Sequence, residues 1–217
     1  MKRIFDITVS AGLMLVLLPL FLPLATLLRL TGEGKVFYRQ RRIGAGQQPF
    51  EILKFATMLE NSPNIGTGDI TLRNDPRVLP VGRVLRKTKI NELPQLWNVL
   101  VGDMSIVGPR PLTPNHFNHY NDKDRKNIAV VTPGITGLSA LVFRDEEKIL
   151  SDRVDPVAFY REEIVPIKAS LETWYAKHAS FRLDILIGLL TVYAILRPGS
   201  RLVRYKVENI SGIKFPF

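Results

Sequence analysis

The chain contains no cysteine. That excludes disulfides, thiolate nucleophiles and cysteine–zinc centres. Histidine is almost as scarce, with only His116, His119 and His178. So small a set argues against a histidine-built metal cluster, and the helical spacing of His116 and His119 suits a surface pair. There is no internal repeat and no low-complexity tract. Acids are in deficit: 20 Asp and Glu stand against 30 Lys and Arg, a net charge of +10 over 217 residues. Such a balance favours anionic partners, whether nucleic acid, anionic lipid or phosphorylated substrates. No RNA- or DNA-binding motif accompanies the charge, so nucleic acid is the weakest of the three. The length suffices for one domain with a real core.

Charge is also missing locally. From Ile7 to Leu28 no residue is charged. A helix of that length could cross a hydrocarbon core about 30 Å thick. Pro19 and Pro23 interrupt the run, and an internal proline removes a ladder hydrogen bond, so a kink is expected. Lys2 and Arg3 precede the run, and Arg29, Lys35, Arg39, Arg41 and Arg42 follow it. Both flanks therefore have the basic character of a cytoplasmic face. A kinked hairpin entering and leaving by one face satisfies both flanks, and a spanning helix satisfies one. A secretory signal lacks its small-residue cleavage site here, and 22 uncharged residues are long for a buried core helix.

Beyond this run, "KVFYRQRRIG" and "PFEILKFATM" flank the turn-like "AGQQ" and predict a β-hairpin. "NSPNIGTGD" has loop composition. Arg73, Arg77, Arg83, Arg86, Lys87 and Lys89 form a basic run broken by the single acid Asp75. It suits a solvated helix face and a phosphate-facing role equally well. Ile90, Leu93, Leu96, Trp97 and Leu100 recur at helical spacing and predict a helix from about Glu92 to Val101. Asn91 then takes the N-cap, Pro94 the first turn and Gly102 the C-terminal cap. Glu92 falls in the first turn, where the helix dipole favours its carboxylate. Trp97 lies on the apolar stripe and is expected in the core. In "VGPRPLTP" the two prolines around Arg110 hold the backbone extended, and "TPGITGL" is a second rigid turn. From Glu172 to Leu196 one or two helices follow, with the apolar "DILIGLLTVYAIL" and then Arg197, Arg201, Arg204 and Lys206. A membrane-surface helix and a core helix both fit that segment.

These segments carry a resemblance. "KRIFD" with the proline-broken apolar run, "QRRIG", "FEILKFATM", "DPRVLPVGRVLRKTKINELPQLWNVLVGDMSIVGPRP", "PGITGL" and "YAKHASFRLDILIGLLTV" span nearly the whole chain. In that order they resemble the bacterial sugar transferase family, the monotopic phosphoglycosyl transferases. The resemblance implies a small α/β (α+β) catalytic domain with a β-hairpin, surface amphipathic helices and an N-terminal re-entrant membrane helix hairpin. Residues 1–32 would anchor and residues 33–217 would form the catalytic domain. It also implies transfer of a sugar-1-phosphate from a UDP-sugar to undecaprenyl phosphate, release of UMP, and a magnesium cofactor. The expected location is the bacterial inner membrane, with the catalytic domain on its cytoplasmic face and a homodimer left open.

The resemblance assigns residues as well. In the family motif the position of Asn91 is usually an aspartate that attacks the sugar-bearing phosphorus, and Glu92 matches its acidic partner and metal ligand. Lys54, Arg86, Arg110 and Arg144 match basic positions expected to hold phosphates. Tyr175 and Asp184 match a C-terminal motif taken as structural. Two departures stand out: Asn91 replaces the aspartate, and Ala56 stands where Lys or Arg is common. An amide is a far weaker nucleophile than a carboxylate. Three readings remain open: Glu92 as nucleophile, Glu92 as base or metal ligand during direct attack by the lipid phosphate, and a weak or inactive relative that acts as a partner in glycan assembly.

Overall fold

A computed structural model of the chain describes residues 1–66, 68 and 70–216. Thr67 and Asp69, at the end of the expected loop, and the terminal Phe217 lie outside the described residues. The uncharged run forms one helix, α1 (Lys2–Leu30), with Pro19 and Pro23 inside it. The two prolines do not divide it into the two elements that a hairpin would need. Each proline removes a single N–H, and the helix continues through both.

Both ends of α1 are tied to the rest of the chain. At its start, Lys2 Nζ donates to Asp184 Oδ2 at 2.6 Å and to the Val107 carbonyl at 2.9 Å. Arg3 donates to the Leu100 carbonyl at 2.7 Å, in the last turn of the helix Gln95–Val101, where helix carbonyls are left open. The buried Asp6 accepts from Ser105 Oγ at 2.8 Å and from the Ile106 N–H at 3.0 Å. Lys2 and Arg3 are therefore latches as well as flanking charges. Near its end, Leu24 and Leu28 are buried against Phe55 and Leu85. Between these anchors the apolar side chains stay outside, with Leu15 73% and Val16 75% exposed.

The expected hairpin is present as β1 (Phe37–Ile43) and β2 (Pro49–Phe55), antiparallel with Tyr38 opposite Lys54. Next come α2 (Pro80–Thr88) and α3 (Gln95–Val101), ended by Gly102 at φ 103°. A second small sheet joins β3 (Ser105–Val107) in parallel to β4 (Gly134–Thr136). Parallel pairing needs a crossover, supplied by α4 (Pro114–Asn118) and α5 (Asp122–Ile128). The remainder is helical: α6 (Leu138–Val142), α7 (Glu146–Ser151), α8 (Pro156–Phe159), α9 (Val165–His178), α10 (Phe181–Leu196) and α11 (Arg201–Ser211). The main core gathers Leu138, Leu171, Tyr175, Ile187 and Val207 from four of these helices. Tyr175 donates to Asp184 Oδ1 at 2.5 Å, so the C-terminal motif clamps α9, α10 and the start of α1 together. The α10 segment has a buried and an exposed apolar face: Ile187 and Leu190 are core, while Leu189 and Leu196 stay exposed.

Two sequence expectations fail in instructive ways. Trp97 is 52% exposed and not core. Asn98 takes the inner position instead: its Oδ1 accepts from the Leu53 N–H at 3.0 Å and its amide donates to the Glu51 carbonyl at 2.7 Å. That side-chain zip to β2 rotates the tryptophan outward. Arg77, read within an exposed basic run, is buried. Its guanidinium donates to Asp75 and to the carbonyls of Ser62, Ile65, Gly68 and Ile70. One buried arginine thus gathers the loop that precedes α2, its charge matched by Asp75.

Candidate functional site

Four chain segments meet at Glu92. The first is a 3-10 turn, Ile90–Glu92, entered through Lys89 at φ 62°. The expected helix from Glu92 begins late, at Gln95, and its N-cap is Pro94. The cause is Pro94 itself. It has no N–H for the Ile90 carbonyl, which accepts from the Leu93 N–H at 3.1 Å instead. Asn91 is consequently not a helix cap. It is buried, and its side-chain oxygen has no hydrogen-bond partner.

The second segment is the loop after β3, extended by Pro109 and Pro111. Arg110 donates through both terminal nitrogens to Glu92, Nη2 to Oε1 at 2.6 Å and Nη1 to Oε2 at 3.3 Å. β1 and β2 supply the third. Lys54 faces Glu92 from β2, and Arg42 reaches from β1 to the Pro111 carbonyl at 3.0 Å. The fourth is the end of α2, where Arg86 pairs with Glu147 and adds its charge to the field at Lys54. Burial alone would push the Glu92 carboxyl up. The charges of Arg110 and Lys54 more than reverse this and hold it well below the usual carboxylate range. Lys54 is pushed down by burial and by Arg42, and Glu92 opposes that shift.

The Arg110 loop is braced from behind by a residue the sequence reading did not single out. Glu172 of α9 accepts the Arg110 N–H at 3.1 Å and the Ser139 hydroxyl on the same oxygen. Its other oxygen is buried without a partner. The brace needs glycine, because a Cβ at Gly137 would lie 2.2 Å from the Gly108 carbonyl and one at Gly134 2.1 Å from the Gly108 nitrogen. Burial raises the Glu172 carboxyl to about 7, against which its bonds to Ser139 and Arg110 pull down.

That shift predicts a pH dependence. Between about 4.5 and 7 the folded chain retains a proton that the unfolded chain has released. Stability therefore falls as pH rises through this window, by an amount on the order of 3 kcal/mol for this group. Glu172→Gln keeps the accepting oxygen and removes the titration. Melting from pH 5 to 8 should show a smaller decline in the variant than in the parent, and equal declines would exclude Glu172 as the cause.

Of the assigned residues, Lys54 and Arg110 thus surround Glu92, with Arg86 close behind and Asn91 beside it in the chain. Arg144 makes no bond to Glu92 or Arg110 and lines a different cleft with Arg197 and Arg201. Among the described residues no group of three His, Cys, Asp or Glu side chains could hold a metal by itself. The Glu92 carboxylate stands at the centre, and Asn91, the residue before it, has a buried side-chain oxygen without a hydrogen-bond partner. A single carboxylate is the sparse oxygen set that a magnesium ion carried on phosphates would take, the rest of its shell coming from water and substrate. Of the two histidines expected as a surface pair, His116 meets Tyr160 at 3.3 Å.

Comparisons with known proteins show which family the chain resembles. The chain is 37% identical over 199 residues to a UDP-glucose:undecaprenyl-phosphate glucose-1-phosphate transferase of Caulobacter vibrioides, covering 90% of the chain and 69% of that protein. It is 32% identical to the exopolysaccharide production protein ExoY of Rhizobium meliloti, covering 89% and 84%. It is 33% identical to the undecaprenyl-phosphate galactose phosphotransferase of Salmonella typhimurium, covering 91% of the chain and 40% of that longer protein. The family model described as bacterial sugar transferase matches residues 1–198, and the chain belongs to that family.

Proposed function

We propose that the chain transfers a sugar-1-phosphate from a UDP-sugar to undecaprenyl phosphate and releases UMP. The observation that carries the reading is the Glu92–Arg110 pair set among Lys54, Arg42 and Arg86, beside a helix with an exposed apolar middle. The Caulobacter relative is named for both UDP-glucose and undecaprenyl phosphate, and the Salmonella relative for undecaprenyl phosphate. In the reaction an oxygen of the lipid phosphate attacks the sugar-bearing phosphorus. The bond from that phosphorus to the UMP oxygen breaks, and UMP leaves with the electron pair.

Each residue has a part that follows from its surroundings. Arg110 and Lys54 face the negative charge that spreads over the transferring phosphoryl oxygens. Glu92 holds both cations in place before phosphates arrive. It is a poor general base, since its carboxyl sits so far below neutrality. None is required, because the attacking phosphate oxygen is already anionic. Glu92 would hold a magnesium ion, which would neutralise part of the diphosphate charge. A second reading rests on Asn91: without the family's carboxylate, the chain could be a weak or inactive partner in glycan assembly. Incubation with a panel of UDP-sugars and undecaprenyl phosphate decides between them. UMP release with one sugar supports the transferase, and none with any sugar supports the partner.

The membrane reading is that residues 1–32 anchor the chain to the cytoplasmic face of the inner membrane, with both ends of α1 on that face. Its support is that Lys2 and Leu28, at opposite ends of α1, are anchored on the same globular body. A spanning helix would carry one anchor to the far side. The exposed Trp97 and Val101 beside α1 add an aromatic and an apolar contact at the same level. With no native cysteine, single labels are clean. A cysteine added before Met1 and another at Lys35 should react with an impermeant reagent from the same side of sealed vesicles. Reaction from opposite sides would replace this topology with a spanning one.

A further inference from the structure

The cleft that holds Arg144 is separate from the Glu92 site. It has a volume of about 470 Å³ and lies between α6, α7 and the elbow joining α10 to α11. Five cations line it, Arg144, Lys148, Arg197, Arg201 and Arg204, against the two carboxylates Asp145 and Glu208. Glu208 is already engaged, accepting the Phe215 N–H at 3.1 Å and pairing with Lys214 at 3.6 Å. No side-chain hydrogen bond or ion pair joins Arg144, Lys148, Arg197 or Arg201 to another described residue. Four cations without ion pairs share one cleft in which Asp145 is the remaining carboxylate to offset them, so the excess positive charge stabilises an anion.

Position then selects the kind of anion. The cleft begins where the exposed apolar face of α10 ends, with Val192, Ile195 and Leu196 each more than half exposed just before Arg197. Leu202 and Tyr205 continue that exposed face along α11. The floor of the cleft is apolar, with Leu141, Ala194 and Val203 buried beneath the cations. An apolar face that stops at a ring of arginines matches the level where acyl chains give way to headgroups. Arg201 and Arg204 lie beyond residue 198, where the family match ends.

We propose that the α10–α11 elbow binds the phosphate of an anionic membrane phospholipid, with Arg197 and Arg201 as its exposed contacts. The site fixes the C-terminal helices at the membrane surface, independently of α1. The test uses the full chain in detergent and follows thermal unfolding, so it does not depend on turnover. Short-chain dihexanoyl phosphatidylglycerol should raise the melting temperature saturably, by about 4 °C at saturation. Dihexanoyl phosphatidylcholine should not. Arg197→Gln/Arg201→Gln should abolish the rise while starting from the parent melting temperature, because both side chains are exposed. If the double variant starts lower, Arg201→Gln alone gives the same comparison. An equal rise with phosphatidylcholine, or an undiminished rise in the variants, overturns the site. A full rise with inorganic phosphate or UDP alone also overturns it, since the cleft would then take a free phosphate.

Discussion

Glu92→Gln is expected to lower UMP release by on the order of 10³-fold while leaving the helical content unchanged. Among the described residues Glu92 is the one carboxylate bonded to the Arg110 side chain, and it also faces Lys54. An uncharged amide there removes the counter-charge that keeps both cations in register. The variant should also melt lower, because it strands a guanidinium and an ammonium together. Breaking a buried pair costs about 3–5 kcal/mol. Arg110 is 33% exposed, so solvent screening reduces that figure, and a loss of about 1–2 kcal/mol is expected. The double variant Glu92→Gln/Arg110→Gln separates the two effects. It should recover melting temperature, since fewer like charges face each other, and it should not recover turnover. Full turnover in Glu92→Gln would return Glu92 to the status of an ordinary charged turn residue.

The parts of the fold that were legible in the sequence are those set by local chemistry. The β1–β2 hairpin followed from two strand-like runs around a turn, Gly102 ends its helix in the left-handed region, and Pro109 and Pro111 hold Arg110 extended. What failed depended on partners distant in sequence or on one proline's missing donor. Asn91 and Glu92 looked like a helix start, and Pro94 moved that start to Gln95. Trp97 fitted the apolar stripe, yet Asn98 had backbone partners on β2 and took the inner place. Lys2 and Arg3 were read as membrane flanks, and their bonds to Asp184 and the end of α3 span about half the chain or more. Glu172 had no signal at all. A lone glutamate before an apolar helix shows neither its burial nor the loop 62 residues away that it braces. The carbonyls gathered by Arg77 were equally invisible, since nothing in a basic run marks which arginine turns inward.

Asn91→Asp is expected to raise UMP release by about tenfold or more, a change worth ~1.4 kcal/mol of barrier for each factor of ten. Asn91 is buried, its oxygen has no partner, and it precedes Glu92 directly. A carboxylate at this point would sit next to Glu92, and mutual repulsion would raise the proton affinity of one of them. The cations opposing that effect are already assembled: Arg110 and Lys54 act on Glu92, with Arg42 and Arg86 behind Lys54. The new aspartate should therefore ionise near neutral pH. Its oxygen could then attack the sugar-bearing phosphorus, forming an acyl phosphate as UMP leaves, and the lipid phosphate would displace the aspartate in a second step. Intact mass after mixing with the UDP-sugar alone should reveal a phosphosugar adduct in the variant and none in the parent. Asn91→Ala is the control, since it removes the orphan oxygen without adding charge, and helix capping no longer gives a reason for it to unfold. If Asn91→Ala is as inactive as Glu92→Gln, and Asn91→Asp forms no adduct and turns over no faster, the amide itself takes part in transfer. The carboxylate would then be the wrong group for this chain's chemistry.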